Sequence, residues 1–274
     1  VEKQALDSLL ALHNPYSFLR FVNGTSMCHY SPQIMRKPTP NPLSLATTAT
    51  KPQLHILARQ PLAGYCKTRL QTHCSPEQAA TIAAVLLEET VIIAAHSWPG
   101  NIFLHGSPDQ QHPLFLALAE KYDLSLTDQA GVDLGQIQTN ALAVSLNFGI
   151  PAAVIGCDLP GLNRYLLLNA FTSLSLGENI LGLSPDGGYY LLGLQQEAKE
   201  LLQNIRWSSP EVSDRLLQNA AVLQLQLNTD LPPVNDVDTW QDLLAAVTVN
   251  PALAQRLQQR APYTWQEISH CLAQ

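Results

Sequence analysis

The residues best suited to chemistry are cations and carboxylates held in short polar runs that follow apolar stretches. ARQPLAGYCKTRL, residues 58–70, carries Arg59, Lys67 and Arg69 around Gly64, with Pro61 stiffening the loop. Lys67 and Thr68 match the end of a Walker A loop, G-x-x-x-x-G-K-[ST], but Pro61 and Cys66 stand where its glycines belong. Backbone amides with two or three cations suit a pyrophosphate, because Arg engages two oxygens at once and Lys acts as a compact point charge. A solvated basic turn is the plainer reading of the same residues.

Three further runs carry acids. In GCDLPGL, residues 156–162, Asp158 ends a very apolar stretch, where a carboxylate costs desolvation energy unless a cation or donors compensate it. Mg²⁺ is commonly held by one or two protein carboxylates together with substrate phosphates; equally, Asp158 fits a cap for the helix that follows. SPDGGYY, residues 184–190, is a hairpin signal that accounts for Gly187 and Gly188 but not for Asp186 or the paired Tyr189 and Tyr190. Near the C-terminus, Thr239 and Asp242 have capping-box spacing, which leaves Asp236 and Asp238 available as metal ligands.

The elements that must position these residues follow from periodicity. QLHILA (53–58) reads as a strand, and Ser75, Pro76 and Gln78 open a helix reaching about His96 with an N-cap, a first-turn proline and a capping-box partner. Strands are expected at NIFLHG, LSLTDQ, AAVIGCD, NILGLSP, GYYLLGL and VLQLQL, with helices at PLFLALAEKY, GQIQTNALAVSLNF and NRYLLLNAFTSL and a mostly helical C-terminal part. Strands alternating with helices indicate a three-layer α/β/α domain with a mostly parallel central sheet. Ligands then bind at the carboxyl ends of the strands, at a topological switch point, which selects the loops after QLHILA, AAVIG and NILGL.

A chain of 274 residues with 46% hydrophobic content can bury a substantial core, and its formal charge of -7 argues against a general nucleic-acid binder. The apolar run at 83–95 is interrupted by Glu88 and Glu89, so no membrane span is expected. Five scattered cysteines without a C-x-x-C favour neither a disulfide framework nor a zinc site, and a reducing cytoplasm is the simpler setting. His73 and Cys74 lie near Cys66 but match no standard metal spacing and read as packing or surface residues. Residues 1–50 differ from the rest: VEKQALDSLLALH suits a short amphipathic helix, and the Pro/Ser/Thr-rich residues 31–52 suit a linker. No secretory signal is evident, and Met27 or Met35 is a candidate biological start.

Taken in order, R-x-P-x-x-G-x-x-K-T-R-L (59–70), QAGVDLGQ (129–136), GCDLPGL (156–162), SPDGGYYLLGL (184–194), IRWSSPEV (205–212) and DVDTWQDL (236–243) resemble a bacterial family of small glycosyltransferase-A-fold proteins. Its members are described as nucleotide-diphospho-sugar transferases, some associated with arsenosugar biosynthesis, and the family is similar to guanylyltransferases acting on molybdenum cofactor and 2-phospholactate. The resemblance spans residues 53 to about 245 and is silent on the first fifty.

It implies that Arg59, Gly64, Lys67, Thr68 and Arg69 bind nucleotide phosphates, with Asp133 and Gly135 close to the nucleotide. Asp158 corresponds to the metal-binding acid of a DxD motif, here reduced to one Asp, with Asp238 and Asp236 supplying further carboxylates to Mg²⁺ or Mn²⁺. Gly187, Gly188, Tyr189 and Trp207 fall on the acceptor side, and Asp186 is the candidate base. Residues 136–138 read Gln-Ile-Gln where relatives often carry Arg-Met, so a basic contact is missing.

The expected reaction is metal-dependent sugar transfer from a nucleoside-diphosphate sugar to a small-molecule acceptor. Metal and fixed cations would stabilise charge growing on the leaving phosphate, and a carboxylate would deprotonate the acceptor hydroxyl. Nucleotidyl transfer and a non-catalytic nucleotide-binding module are the alternatives.

Overall fold

Alternating burial along the strands decides the layering. In the computed structural model, which describes residues 50–273, β1 (Gln53–Arg59) sends Leu54 and Ile56 into one apolar cluster and Leu57 against another. The next strand in the sheet on one side, Ala152–Ile155, is buried at every position. Its Ala153 and Ile155 join the first cluster and its Ala152 and Val154 the second. A strand covered on both faces reads as a continuous apolar run, which is why AAVI is so legible.

Five helices supply the covering layers. α1 (Pro76–Ser97), α2 (Pro113–Tyr122) and α4 (Arg164–Ser175) pack on the first face, and α3 (Leu134–Leu146) and α5 (Val212–Val222) on the second. The strands are β1, β2 (Ile102–Ser107), β3 (Ser125–Asp128), β4 (Ala152–Ile155), β5 (Asn179–Leu183), β6 (Tyr189–Leu194) and β7 (Leu227–Asn228), in the sheet order β3-β2-β1-β4-β6-β5-β7. Neighbours are parallel except at β6, which runs antiparallel to both β4 and β5. From β1 the chain steps outward to β2 and β3 and then returns to β4 on the other side, so the switch point lies between the carboxyl ends of β1 and β4.

α6 (Trp240–Val249), α7 (Pro251–Arg260) and α8 (Pro262–Leu272) follow the sheet, and their apolar faces form a third cluster with the N-terminal half of α1. α1 starts with the expected capping box, Ser75 accepting from the Gln78 amide and Gln78 accepting from the Ser75 amide. By length and composition alone it could cross a membrane, with mean hydropathy 1.6, so the two glutamates interrupt its apolar run less than the sequence suggests. Here it is a core helix: Glu88 and Glu89 are buried and pair with Arg260 and Arg256 of α7.

Two expectations change in detail. VLQLQL is not a full strand, because α5 continues to Val222 and only Leu227 and Asn228 pair with β5. Asp158 does not cap α4; Asn163 does, accepting from the Leu166 amide at 3.2 Å. The expected N-terminal helix, the Met27 or Met35 start and nearly all of the linker lie outside the described residues.

Candidate functional site

The loop leaving β1 is shaped by its own chain before it meets any partner. A turn from Leu62 to Tyr65 closes through a 3.0 Å backbone hydrogen bond, and Gly64 takes φ +77° within it. A methyl group on Gly64 would meet nothing within 4 Å, so the residue serves the backbone angle, not close packing. Lys67 then adopts left-handed φ 47° and ψ 42° and leads into a short 3-10 helix, Thr68–Thr72. A non-glycine residue held in that region costs roughly 1–3 kcal/mol and is tolerated where its surroundings over-determine it. Leu70, fully buried, anchors the loop in the cluster that also holds Val237 and Trp240.

That shared anchor brings the C-terminal acids onto the same edge. The Val237 amide donates to the Asp158 backbone carbonyl at 3.1 Å, which fixes the 236–238 segment beside the end of β4. Thr239 and Asp242 form the expected capping box at the start of α6, leaving Asp236 and Asp238 for the cleft. One oxygen each from Asp158, Asp236 and Asp238 lie within 4.8 Å of one another. An all-carboxylate set of this kind fits a hard divalent cation such as Mg²⁺ or Mn²⁺.

Cations are interleaved with these acids. The Lys67 ammonium pairs with Oδ2 of Asp158, lies 3.5 Å from Oδ1 of Asp238 and donates to the Val237 carbonyl at 2.5 Å. Arg69 donates from Nη1 to Oδ2 of Asp238 at 2.7 Å. Burial alone would lower the Lys67 pKa, but Asp158 and Asp238 outweigh it and hold the ammonium above its ordinary value. Asp236 is pushed up to about 6, first by burial and then by the charges of Asp158 and Asp238. The Cys157 thiol is pushed up to about 12, chiefly by burial with Asp158 adding to it, so no reactive thiolate is set beside the acids.

The cleft has a volume of about 730 Å³. Of the residues expected at the phosphates, Arg59, Lys67, Thr68 and Arg69 line it, whereas Gly64 does not. Asp133 lines it while capping α3, its Oδ1 accepting from the Gln136 amide at 2.8 Å. Gly135 is buried behind the lining, where a methyl group would lie 2.8 Å from the Leu202 carbonyl oxygen and 2.9 Å from the Trp207 ring; it permits close packing.

On the far wall, Asp186, Gly188, Tyr189 and Trp207 line the cleft and Gly187 does not. Asp186 is exposed and its Oδ1 accepts from the Gly188 amide at 3.0 Å, so one carboxylate oxygen is engaged by its own turn.

Some of the lining was not legible in the motifs. Gln138 is buried and accepts from the Tyr189 hydroxyl at 2.8 Å, joining α3 to β6 across the floor. Gln129 also lines the cleft and ties β1 to β2 through the Ala58 and His105 carbonyls. The one signal in reach was the Gln-Ile-Gln departure at 136–138: with a glutamine at 138, that position braces a tyrosine. His73 and Cys74 stay out of the acid cluster, His73 stacking on Trp240 at 5.6 Å and Cys74 donating to the Leu70 carbonyl.

Comparison with known proteins gives one partial family match and likenesses of fold. Residues 90–209 match the model of a family described as "Uncharacterized protein conserved in bacteria (DUF2064)". That span takes in Asp133, Asp158 and Asp186 and stops short of both the basic loop and Asp236. A search of curated proteins found no match. Among solved structures, a "putative nucleotide-diphospho-sugar transferase" from Desulfovibrio desulfuricans G20 matches with TM-score 0.67 and 20% identity, over 82% of this chain and 96% of its own. The 4-diphosphocytidyl-2C-methyl-D-erythritolsynthase of Anaerococcus prevotii DSM 20548 matches with TM-score 0.50 and 11% identity, over 73% of this chain and 96% of its own.

The likeness is one of fold. The seven-stranded mixed sheet with helices on both faces is the architecture of the nucleotide-diphospho-sugar transferase structure. It follows that the carboxyl-edge cleft, and not the second hollow near His73 and His270, lies where such folds bind ligands.

Proposed function

We propose that this chain is a divalent-metal-dependent transferase that moves a sugar from a nucleoside-diphosphate donor to the hydroxyl of a small-molecule acceptor. The observation that carries this reading is the meeting of three carboxylates with Lys67 and Arg69 at the β1/β4 switch point. Asp158, Asp236 and Asp238 would hold Mg²⁺ or Mn²⁺, which supplies Lewis-acid stabilisation of charge on phosphate oxygens. Arg59 and Arg69 offer bidentate donors to the diphosphate, and fixed cations in a recess stabilise the leaving group as its charge grows. Asp186, with one oxygen bound by its own turn, would take the acceptor proton on the other. Tyr189, braced by Gln138, and Trp207 give the acceptor side a flat, partly apolar wall.

Nucleotidyl transfer is the second reading, favoured by the likeness to a diphosphocytidyl synthase fold and served by the same cations. A thermal-shift screen of nucleoside diphosphates, triphosphates and diphospho-sugars with and without Mn²⁺ should give a metal-dependent rise for the donor, since a ligand selective for the folded state stabilises it. Product analysis on the hits then decides: released nucleoside diphosphate supports sugar transfer, and released pyrophosphate overturns it in favour of nucleotidyl transfer. Binding without turnover across broad acceptor panels would point to a non-catalytic nucleotide-binding module.

A further inference from the structure

The sequence assigns Lys67 to the phosphates, yet its ammonium is fully spent elsewhere. An ammonium has three donors. Here one goes to Asp158, one to the Val237 carbonyl, and the third faces Asp238 at 3.5 Å. The lysine therefore occupies one oxygen of Asp158 and faces one of Asp238, two of the three acids of the cluster. Such a cation binds carboxylate oxygens at about 2.0–2.6 Å. Bound to the same oxygens of Asp158 and Asp238, it would crowd against the ammonium, and like charges that close repel by several kcal/mol even at an effective dielectric of about 20.

The cleft as a whole carries the same imbalance. Asp133, Asp158, Asp186, Asp236 and Asp238 face only Arg59, Lys67 and Arg69 along its lining. Two of those cations are already paired with acids. A nucleoside diphosphate approaching this surface meets excess negative charge and one uncommitted lining cation, Arg59, for which no ion pair is found among the described residues.

We propose that Lys67 is a built-in counter-ion that competes with the divalent cation for Asp158 and Asp238, and that metal binding releases it toward the diphosphate. This rests on the metal-dependent reading above and adds a mechanism of coupling. Metal offsets the excess negative charge of the lining and frees a lysine, so metal and diphosphate bind in order and reinforce each other. The left-handed backbone of Lys67 keeps the base of the side chain fixed while its flexible four-carbon stem swings. The positive coupling is reciprocal, as linkage requires.

The test is Mn²⁺ affinity, measured by calorimetry on the full chain with no nucleotide present. Lys67→Met removes the competitor and should bind Mn²⁺ about 5- to 150-fold more tightly than wild type, the usual span of coupling between sites. Circular dichroism establishes that the variant is folded. Unchanged or weaker Mn²⁺ binding in folded K67M, beside measurable binding in wild type, overturns the proposal and leaves the metal-dependent reading standing. No Mn²⁺ binding in either protein overturns both.

A second measurement covers the case in which K67M does not fold. Wild-type protein labelled on its six lysines is titrated with Mg²⁺ and followed by NMR, with the buried side chain at 67 identified by its Cε shift. Movement of that signal with Mg²⁺ occupancy supports release. Saturation by Mg²⁺ with the Lys67 signal unmoved overturns it.

Discussion

Arg69 and Asp238 meet through a 2.7 Å contact from Nη1 to Oδ2, and both side chains remain substantially exposed. An exposed ion pair of this kind is worth about 0.2–1 kcal/mol, so it says more about the cleft than about stability. Arg69→Ala should change the free energy of urea unfolding by less than about 1 kcal/mol. A lost charge-assisted contact to phosphate is worth about 1.5–3 kcal/mol. The same variant should therefore weaken nucleoside-diphosphate binding in Mn²⁺ by about tenfold or more. Equal affinity in the two proteins would remove Arg69 from the phosphate site.

Asp158 lies between the switch-point strand β4 and the segment bearing Asp236 and Asp238, and it touches both Lys67 and the 236–238 backbone. Asp158→Asn preserves shape and the backbone contact to Val237 while removing the charge. It should fold, and it should lose the Mn²⁺-dependent part of any nucleotide-induced rise in melting temperature. A variant whose rise with Mn²⁺ matches wild type would take Asp158 out of the metal set.

How much of this was legible follows from the kind of signal each residue gives. Ser75, Gln78, Thr239 and Asp242 act within one turn of helix, so their spacing alone predicts their bonds. The buried strand AAVI and the hairpin at residues 184–188 are similarly local. The meeting of Lys67 with Asp158 spans 91 positions and depends on how two loops are anchored, which no local pattern encodes. Gln138 and Tyr189 are the same case, and so is the commitment of the lysine to carboxylates in place of phosphate. VLQLQL misled because its alternation is that of a strand, whereas α5 packs on the sheet through Val212, Leu216 and Ala220 and runs on to Val222, the first residue of that stretch.

Gly187 allows the hairpin loop to press against the segment that carries Trp207. It sits at φ +89°, and a methyl group there would lie 2.0 Å from the Pro210 carbonyl oxygen. The Ser213 amide donates to the Gly187 carbonyl at 2.9 Å. Gly187→Ala should thus destabilise by more than about 1 kcal/mol, combining an unfavourable angle with a backbone clash. Gly64→Asn is the control: its φ is also positive, but open space surrounds it and Asn tolerates that region. Equal melting temperatures for Gly187→Ala and wild type would show that the loop relaxes freely.

The C-terminal helices are held to the core helix by Arg260, whose Nη1 donates to both oxygens of buried Glu88 at 2.8 Å. Arg260→Ala leaves that carboxylate without the donor. A buried acceptor stranded in this way costs about 1–3 kcal/mol. Urea unfolding should show a loss of that size, with divalent-metal affinity retained at a temperature where the variant is folded. A change below about 0.5 kcal/mol would place the pair among surface contacts of no consequence.

Behind the carboxyl edge of the strands, a polar relay crosses the sheet, and its proton order can be worked out. Ser145 donates its hydroxyl to Gln53 Oε1, so it must accept from His55 Nε2, 2.7 Å away. His55 Nδ1 is then the acceptor for His105 Nε2 at 2.8 Å, and His105 Nδ1 accepts from the Thr127 hydroxyl at 2.6 Å. Both imidazoles are neutral in this order, and a second proton on His55 would set its Nδ1 donor against the His105 Nε2 donor. Burial lowers His55 to about 3, with the charge of His105 adding to it, and lowers His105 to about 4. Free imidazoles in the unfolded chain take up protons below about 6.5. Between about pH 4 and 6.5 the unfolded chain therefore binds more protons than the folded one, and stability rises with pH. Asp236, raised to about 6, acts in the opposite sense over part of that window, but it is one group against two. Unfolding free energy should be full above about pH 6.5 and fall steadily toward pH 4. The imidazole NMR signals of His55 and His105 should not move above pH 5. Signals that titrate near 6.5, or stability that is flat down to pH 5, would show that the relay does not hold these histidines neutral.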